Sequence, residues 1–149
     1  MVTVYDYTMF QPKGEVEKTL LFACDRLGID GVTVAATCND KLLARLSRGG
    51  IEYKALIFKS KVAHIYNFYF RSRMTVSQYT DIIFHECVHL AQQECGDLYI
   101  NPTTGECWWR GEKYGATYPY KERPWEIEAF REQAEIARAY KKLSKRSVK

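Results

Sequence analysis

The sequence lacks several features that would assign it at once to a large class of proteins. It contains no run of 18 apolar residues, which argues against a helix that crosses a membrane. The first ten residues, MVTVYDYTMF, have no basic start, apolar stretch or small-residue cleavage site, so no signal peptide is expected. The chain is therefore predicted to be cytoplasmic. Histidine is also scarce, with three in 149 residues, so the position of each one is informative.

The cysteine pattern argues against a disulfide framework and against a zinc ribbon. The number of cysteines is odd and no CxxC pair is present. Reduced thiols in a cytosol-like compartment are the simpler interpretation. The five cysteines are Cys24, Cys38, Cys87, Cys95 and Cys107.

The net charge of +4 conceals an uneven distribution along the chain. Residues 1–74 carry 11 Lys and Arg against 7 Asp and Glu, whereas residues 75–140 carry 6 against 11. The excess is too small for a dedicated nucleic-acid binder, so a nucleic-acid partner is not expected. The basic tail at 141–149 is predicted to be a solvated helix end, and it offers a surface to a protein partner.

Hydrophobic periodicity predicts one α+β domain over residues 1–149 with a mostly antiparallel sheet. The pair Gly49-Gly50 is expected to separate a short helix from a strand, and Thr75 or Ser77 to cap a long helix. The turn of the predicted hairpin falls on residues 101–105. The predicted helices cover 15–28, 39–47, 75–96 and 124–143, and the predicted strands cover 31–37, 51–58 and 62–70, with the hairpin at 97–109.

The chemistry is concentrated in an H-E-x-x-H motif formed by His85, Glu86 and His89 within a predicted helix. Spacing of i, i+4 puts both imidazoles on one face, one turn apart, where they can bind one Zn²⁺. Glu86 is offset by one residue, so it flanks the metal and can act as a general base. The motif predicts a catalytic zinc site.

A catalytic zinc ion usually has three protein ligands and an open position, so a third ligand is needed. His64 lies on the preceding predicted strand, and Cys95 and Asp97 lie at the end of the motif helix. The glutamates at the start of the final helix, within 124–131, are better candidates than these three.

The H-E-x-x-H motif followed about 40 residues later by a glutamate-bearing helix resembles the pattern of gluzincin metallopeptidases. The small size is similar to the minigluzincins, and the segments 109–114 and 123–130 resemble small zincin-like proteins of phages and bacteria. The resemblance covers roughly residues 75–135. It implies a zincin-like fold, a Zn²⁺ cofactor and hydrolysis of protein or peptide substrates, with a location in the virion if a phage encodes the chain.

The resemblance also implies roles for particular acidic residues. In gluzincins of the lethal-factor type the ligand glutamate directly precedes an Ala-Phe pair, which maps onto Glu128, and Glu126 is the alternative. In the thermolysin type an acid four residues after the ligand supports a ligand histidine, and that position is Glu132 here. Such outer carboxylates orient the imidazole and strengthen the ligand.

Two further features of the C-terminal region bear on this prediction. Tyr120 and Tyr118 lie where the resemblance places a group that stabilises the oxyanion of the transition state. In the final helix one apolar stripe is predicted to pack on the sheet or on the motif helix, with an acidic stripe of Glu128, Glu132 and Glu135 beside it. The apolar stripe consists of Ile127, Phe130, Ala134 and Ala137.

The sequence therefore predicts a zinc peptidase with Glu86 as general base, and the substrate is expected to pair with the strand at 62–70. A second hypothesis is a zincin-fold structural or regulatory binding protein, such as one that a phage encodes, with little or no peptidase activity. The complete motif argues against it, because a structural metal site needs no base. A DNA-associated protease of the SprT-like kind is disfavoured because no histidine follows His89.

Overall fold

The computed structural model describes residues 1–47, 52–101 and 103–147, with the backbone alone for 146 and 147. The predicted break at Gly49-Gly50, Pro102 of the hairpin turn and Lys149 of the tail lie outside these residues. Helices and strands mix along the chain, which confirms the α+β prediction. The helices are α1 (Glu15–Arg26), α2 (Asp40–Leu46), α3 (Val76–Glu94) and α4 (Pro124–Ser147), and the strands are β1 (Thr3–Asp6), β2 (Thr33–Cys38), β3 (Ala55–Lys59), β4 (Ile65–Phe70), β5 (Leu98–Ile100), β6 (Cys107–Trp109) and β7 (Glu112–Tyr114).

The main sheet has the strand order β1-β2-β4-β3 and is mixed. β1 with β2 and β2 with β4 are parallel, and only β3 with β4 is antiparallel. The prediction of a mostly antiparallel sheet is therefore wrong for this sheet. Two crossovers make it so: α1 connects β2 to β1, a strand that the sequence pattern did not reveal, and the chain passes through α2 and β3 before β4 lies beside β2. The small sheet β5-β6-β7 is antiparallel, as the predicted hairpin requires, and β7 lies between that hairpin and the final helix, where no strand was predicted.

The strand beside the candidate site is β3, at the edge of the main sheet, and not β4. β4 pairs with β2 on one side and with β3 on the other, so its backbone N–H and C=O groups are already hydrogen-bonded within the sheet. This corrects the expectation that residues 62–70 pair with a substrate. An antiparallel edge strand such as β3 still has one unpaired side.

The core lies between the main sheet and the helices α1, α3 and α4. Alternate residues of β4 point inward, so Tyr66, Phe68 and Phe70 are fully buried. Burial of each side chain of this size contributes about 1.5–3 kcal/mol. A second, smaller cluster joins the small sheet to the start of α4 through Trp109 and Trp125. The site lies where these two clusters adjoin.

Helix α3 crosses the core and buries most of its surface, including the polar residues of the motif. Thr75 caps its first turn by accepting a hydrogen bond from the Gln78 N–H, and the Gln78 side chain accepts from the Thr75 N–H. This reciprocal capping confirms Thr75, rather than Ser77, as the cap. The helix ends before Gly96, whose φ of +87° is accessible to glycine at little cost.

Helix α4 begins at Pro124, as its sequence predicts, but it buries a different face from the one expected. Trp125, Glu126 and Ala129 are buried together with Ile136. Of the predicted apolar stripe, Ile127 and Phe130 are about half exposed and Ala134 is exposed. The aromatic contact of Trp125 with the small sheet turns the helix onto this face.

The C-terminal end of α4 carries the basic residues of the predicted tail. Lys141, Lys142 and Lys145 are exposed along this helix, as a solvated helix end requires. No helix in the described part of the chain combines the length and apolar character needed to cross a membrane.

Candidate metal centre

The two histidines of the motif lie one turn apart on the buried face of α3. Their ring centroids are 4.9 Å apart and the rings are nearly perpendicular. His85 is 8% exposed and His89 is 4% exposed. The helical spacing therefore produces the shared face that the sequence predicted, and the core encloses it.

Glu126 of α4 completes this group. Its Oε1 lies 2.9 Å from His85 Nε2 and 3.0 Å from His89 Nε2. One ligand atom from each of the three residues lies within 4.8 Å of the others, so the group could hold a metal ion. Glu126 was the alternative to Glu128 in the sequence analysis, and its place among the two histidines corrects the preferred assignment.

Glu128 lies outside the group because of the geometry of α4. Residues two apart on an α-helix differ by about 200° around the axis, so Glu126 and Glu128 point in nearly opposite directions. Since α4 buries the face of Trp125 and Ala129, Glu126 faces α3. The Glu128 Oε1 instead accepts a hydrogen bond from Gln92 Nε2 at 3.0 Å.

Two glutamines, which the sequence analysis did not single out, orient the imidazoles. His85 Nδ1 lies 2.9 Å from Gln133 Oε1, and His89 Nδ1 lies 2.7 Å from Gln92 Oε1. This supporting role was predicted for Glu132, whose nearest ionic partner is Arg131 at 3.8 Å. Helical spacing could have indicated both glutamines, because Gln92 follows His89 by three residues and Gln133 follows Glu126 by seven.

The orientation of the Gln92 amide is determined by its other partners. Its Nε2 donates to the Trp125 carbonyl and to Glu128 Oε1, so its Oε1 must be the atom that faces His89. An amide oxygen only accepts hydrogen bonds, so His89 Nδ1 carries a proton. In a neutral imidazole this leaves Nε2 unprotonated, and Nε2 is the atom that points at Glu126.

The charges at the group are strongly coupled. Burial alone would lower the pKa of His89, but the carboxylates of Glu126 and Glu86 and the bonds to Glu126 and Gln92 raise it to about 10. Burial opposes ionisation of Glu126, yet His89 and His85 hold the pKa of its carboxyl far below the usual range. The centre thus stabilises a positive charge between its nitrogens and the Glu126 carboxylate, as a cation site does.

Glu86 is a buried carboxyl group beside this centre. It is 5% exposed, its Oε2 lies 3.8 Å from His89 Nε2, and burial raises the pKa of its carboxyl. Its Oε1 is buried and has no hydrogen-bond partner among the described residues. A buried carboxylate oxygen is usually paired, so the lack of a partner for this oxygen calls for an explanation.

Of the two predicted tyrosines, one reaches the centre. The Tyr120 hydroxyl donates to Glu126 Oε1 at 2.9 Å, and burial raises the pKa of this phenol, which keeps it a donor. Tyr118 is 37% exposed, and its ring packs edge-on against Tyr114. Its carbonyl accepts a hydrogen bond from Arg123. The contacts of Tyr118 thus place it outside the centre.

The remaining candidates for a third ligand lie elsewhere. His64 is exposed and its Nδ1 lies 2.8 Å from Glu94 Oε1. Cys95 is exposed at the end of α3, and Asp97 lies 3.5 Å from Arg110. None of the three belongs to the group of His85, His89 and Glu126.

Two spaces adjoin the centre, one on each side. A cleft of about 540 Å³ lies on the His85 side and is lined by Ala55, Tyr120 and Phe130. The Phe130 ring lies 4.4 Å from the His85 ring and is half exposed. A smaller cavity of about 60 Å³ lies on the His89 side. Glu86 and Glu126 line both spaces, so the centre lies between them.

The edge of β3 leaves one pair of backbone groups open toward the cleft. The Lys54 carbonyl accepts from the Arg71 N–H, so the alternate residues Ala55, Ile57 and Lys59 turn their backbone groups away from β4. Gln93 takes two of these groups, since it donates to the Ile57 carbonyl and accepts from the Lys59 N–H. The Ile57 N–H contacts the Glu86 carboxylate. In the described part of the chain, the N–H and C=O of Ala55, a residue that lines the cleft, have no recorded partner.

Comparison of the chain with protein-family models, curated proteins and solved structures returns no match. The interpretation of the centre therefore depends on its residues. Two imidazoles and one carboxylate are a ligand set that zinc accepts in catalytic sites.

Proposed function

We propose that the protein is a zinc-dependent peptidase with His85, His89 and Glu126 as metal ligands. The observation that carries the proposal is the convergence of these three residues beside a buried carboxylate oxygen of Glu86 that lacks a partner. Three protein ligands leave one position of a tetrahedral zinc ion open, as hydrolysis requires. The His₂Glu set and the amide-supported imidazoles favour zinc over harder cations.

Zinc, when bound, polarises the peptide carbonyl and makes a water molecule more acidic. Glu86 Oε1 accepts a proton from that water and later donates it to the leaving amine. The Tyr120 hydroxyl, held at Glu126 in this structure, is a donor that can turn to the developing oxyanion. An extended peptide in the cleft pairs with the N–H and C=O of Ala55, with Phe130 beneath it.

The Glu86 oxygen that lacks a hydrogen-bond partner also favours a peptidase over a structural or regulatory protein with a zincin fold. A closed structural site has its polar groups paired and needs no base. Burial of an unpartnered carboxylate oxygen costs free energy, which a role in proton transfer explains.

The test combines zinc content with cleavage of casein and of a peptide library. Wild type is expected to bind one zinc ion per chain and to cleave, whereas Glu86→Gln keeps the zinc and loses at least about 100-fold in kcat/KM. Glu126→Ala is expected to lose zinc. Glu132→Ala is the matched control, because its carboxylate lies in the same helix, pairs with Arg131 and supports neither histidine, so this variant should retain the metal.

Two outcomes would contradict the proposal. Equal turnover by wild type and Glu86→Gln would exclude Glu86 as the base. Zinc binding without cleavage of any peptide would favour the structural or regulatory protein.

A further inference from the structure

Arg123 is a buried cation beside the proposed zinc centre. It is 3% exposed, lies one residue before α4 and lines the small cavity together with Glu86 and His89. Its guanidinium donates to the carbonyls of Tyr118 and Ala116, both at 3.0 Å, and to the Tyr53 hydroxyl at 3.4 Å. These partners hold it at the wall of the cavity.

All these partners of Arg123 are neutral. Among the residues that the structure describes, no carboxylate forms an ion pair with its guanidinium within 4.0 Å. A guanidinium has five N–H donors, and three of them have acceptors here. Because a buried charge is usually paired, Arg123 is a site where an anion would gain both charge pairing and hydrogen bonds.

A zinc ion at the proposed centre would add to the uncompensated positive charge around Arg123. Two positive charges on zinc are offset by the carboxylates of Glu126 and Glu86, so the charge of Arg123 is left over. One negative charge in the cavity would balance the centre. This step rests on the proposed function.

The cavity has the size and lining for a short acidic group. Its volume of about 60 Å³ holds about four to six water molecules, at roughly 10–15 Å³ for each. Four or five non-hydrogen atoms are the content of an Asp or Glu side chain. Apolar walls from Leu56, Phe58 and Trp125 suit the methylene groups, and they strengthen the attraction between a carboxylate and Arg123 by excluding water.

We propose that this cavity, the Arg123 cavity, binds a carboxylate of the substrate next to the scissile bond and that Arg123 is its counter-ion. Arg123 then determines specificity for peptides with a negative charge at this position. The carboxylate comes from an Asp or Glu side chain or from the C-terminus of the peptide. The two sources share the same chemistry, and the experiment separates them.

The first measurement uses small ligands that need no turnover. The monohydroxamic acids of succinic and glutaric acid carry a zinc-binding head and a free carboxylate, and their primary amides are uncharged matches. Calorimetry with the zinc-loaded wild-type protein should show that one carboxylate binds about tenfold more tightly than its amide. Equal affinities would overturn the inference and leave the zinc centre intact. Failure of both ligands to bind would remove the zinc centre and the inference with it.

Two variants identify the cation responsible. Arg123→Met keeps the length of the side chain and should abolish the preference for the carboxylate, whereas Arg123→Lys should reduce it. Lys121→Met is the matched control, because Lys121 is an exposed cation that lines the cleft on the other side of the centre. A preference lost in Lys121→Met, or kept in a folded Arg123→Met protein, would overturn the assignment. If Arg123→Met does not fold, the preference for the carboxylate is compared among the wild type, Arg123→Lys and Lys121→Met. A preference that is reduced only in Arg123→Lys supports the assignment, and one that is unchanged in Arg123→Lys overturns it.

Peptide cleavage then distinguishes the two sources of the carboxylate. Peptides with an internal Glu are compared with the same peptides carrying Gln, and peptides with a free C-terminus with their C-terminal amides. A higher kcat/KM for internal Glu assigns the cavity to a side chain. A requirement for the free C-terminus assigns it to a carboxypeptidase-like mode. No preference in either pair contradicts the inference.

Discussion

At the scale of single residues, the hydrogen bonds of the imidazoles decide which atoms face a metal. The amide oxygens of Gln92 and Gln133 lie against the Nδ1 atoms, so the Nε2 atoms converge on Glu126. Glu128 supports His89 indirectly, because it accepts a hydrogen bond from the Gln92 amide and so holds that amide in place. The residue predicted as a ligand is thus the outer member of a chain of contacts that ends at His89.

This chain of contacts predicts the effect of removing its central member. Gln92→Ala is expected to weaken zinc binding about 10–100-fold, because the His89 tautomer and ring orientation are no longer set. Competition against a fluorescent chelator measures the affinity. Glu132 is a nearby acidic residue of α4 that takes no part in these hydrogen bonds, so the Glu132→Ala variant should bind zinc as the wild type does. Unchanged affinity in Gln92→Ala would show that the amide does not support the ligand.

The pKa of His89 predicts the direction in which pH changes zinc affinity. Without metal, this pKa of about 10 keeps His89 protonated between pH 6 and 8, and a ligand imidazole must lose that proton. Affinity is therefore expected to rise with pH, by about tenfold per unit for each proton released. Calorimetry in buffers of different ionisation enthalpy counts these protons. Binding that releases no proton in this range would contradict the prediction.

At the scale of elements, the start of α3 and the rotation of α4 position the site. The reciprocal bonds between Thr75 and Gln78 set the first turn of α3, and Pro124 sets the first turn of α4. Contacts of Trp125 with the small sheet select the face of α4 that meets α3. A helix turned by two residues would present Glu128 instead of Glu126.

The cap of α3 gives a prediction about stability. Thr75→Ala should lower the free energy of unfolding by about 1 kcal/mol, because the Gln78 N–H loses its acceptor. Denaturant unfolding of the metal-free protein measures this change. Ser77→Ala is the matched control, since Ser77 is exposed in the first turn and the cap is Thr75. Equal losses in both variants would show that the cap contributes nothing specific.

At the scale of the whole molecule, the site links two helices that are distant in sequence. His85 and His89 come from α3 and Glu126 from α4, and the core of the main sheet supports both helices. A metal ion that binds this arrangement, and not the unfolded chain, adds its binding free energy to folding.

Zinc is therefore expected to raise the thermal stability of the protein. At a free zinc concentration of 100 times Kd the gain is about 2.7 kcal/mol, which corresponds to roughly 5–10 °C in Tm for a chain of this length. Scanning calorimetry with zinc and with a chelator measures the shift. Glu126→Ala should lose the shift, and Glu132→Ala, whose carboxylate pairs with Arg131, should keep it. A Tm independent of zinc in the wild type would contradict a folded-state metal site.

Much of the secondary structure could be predicted because its signals are local. The helical periodicity of α1 and α3, the cap of α3, the proline at the start of α4 and the strands β2, β3 and β4 all follow from short patterns. β1 and β7 have four and three residues, too few for periodicity to distinguish them from a loop. The parallel pairing of β1 with β2 depends on a strand that the pattern did not reveal.

The sequence by itself determined that His85 and His89 share one face of a helix with Glu86 beside them, because the spacing along one helix fixes these directions. Only the tertiary structure decided that Glu126 joins them, that Gln92 and Gln133 orient them and that Arg123 is buried nearby. The physical reason is that the rotation of α4 about its axis depends on what Trp125 and Ala129 pack against. That partner surface is formed by segments far away in the chain.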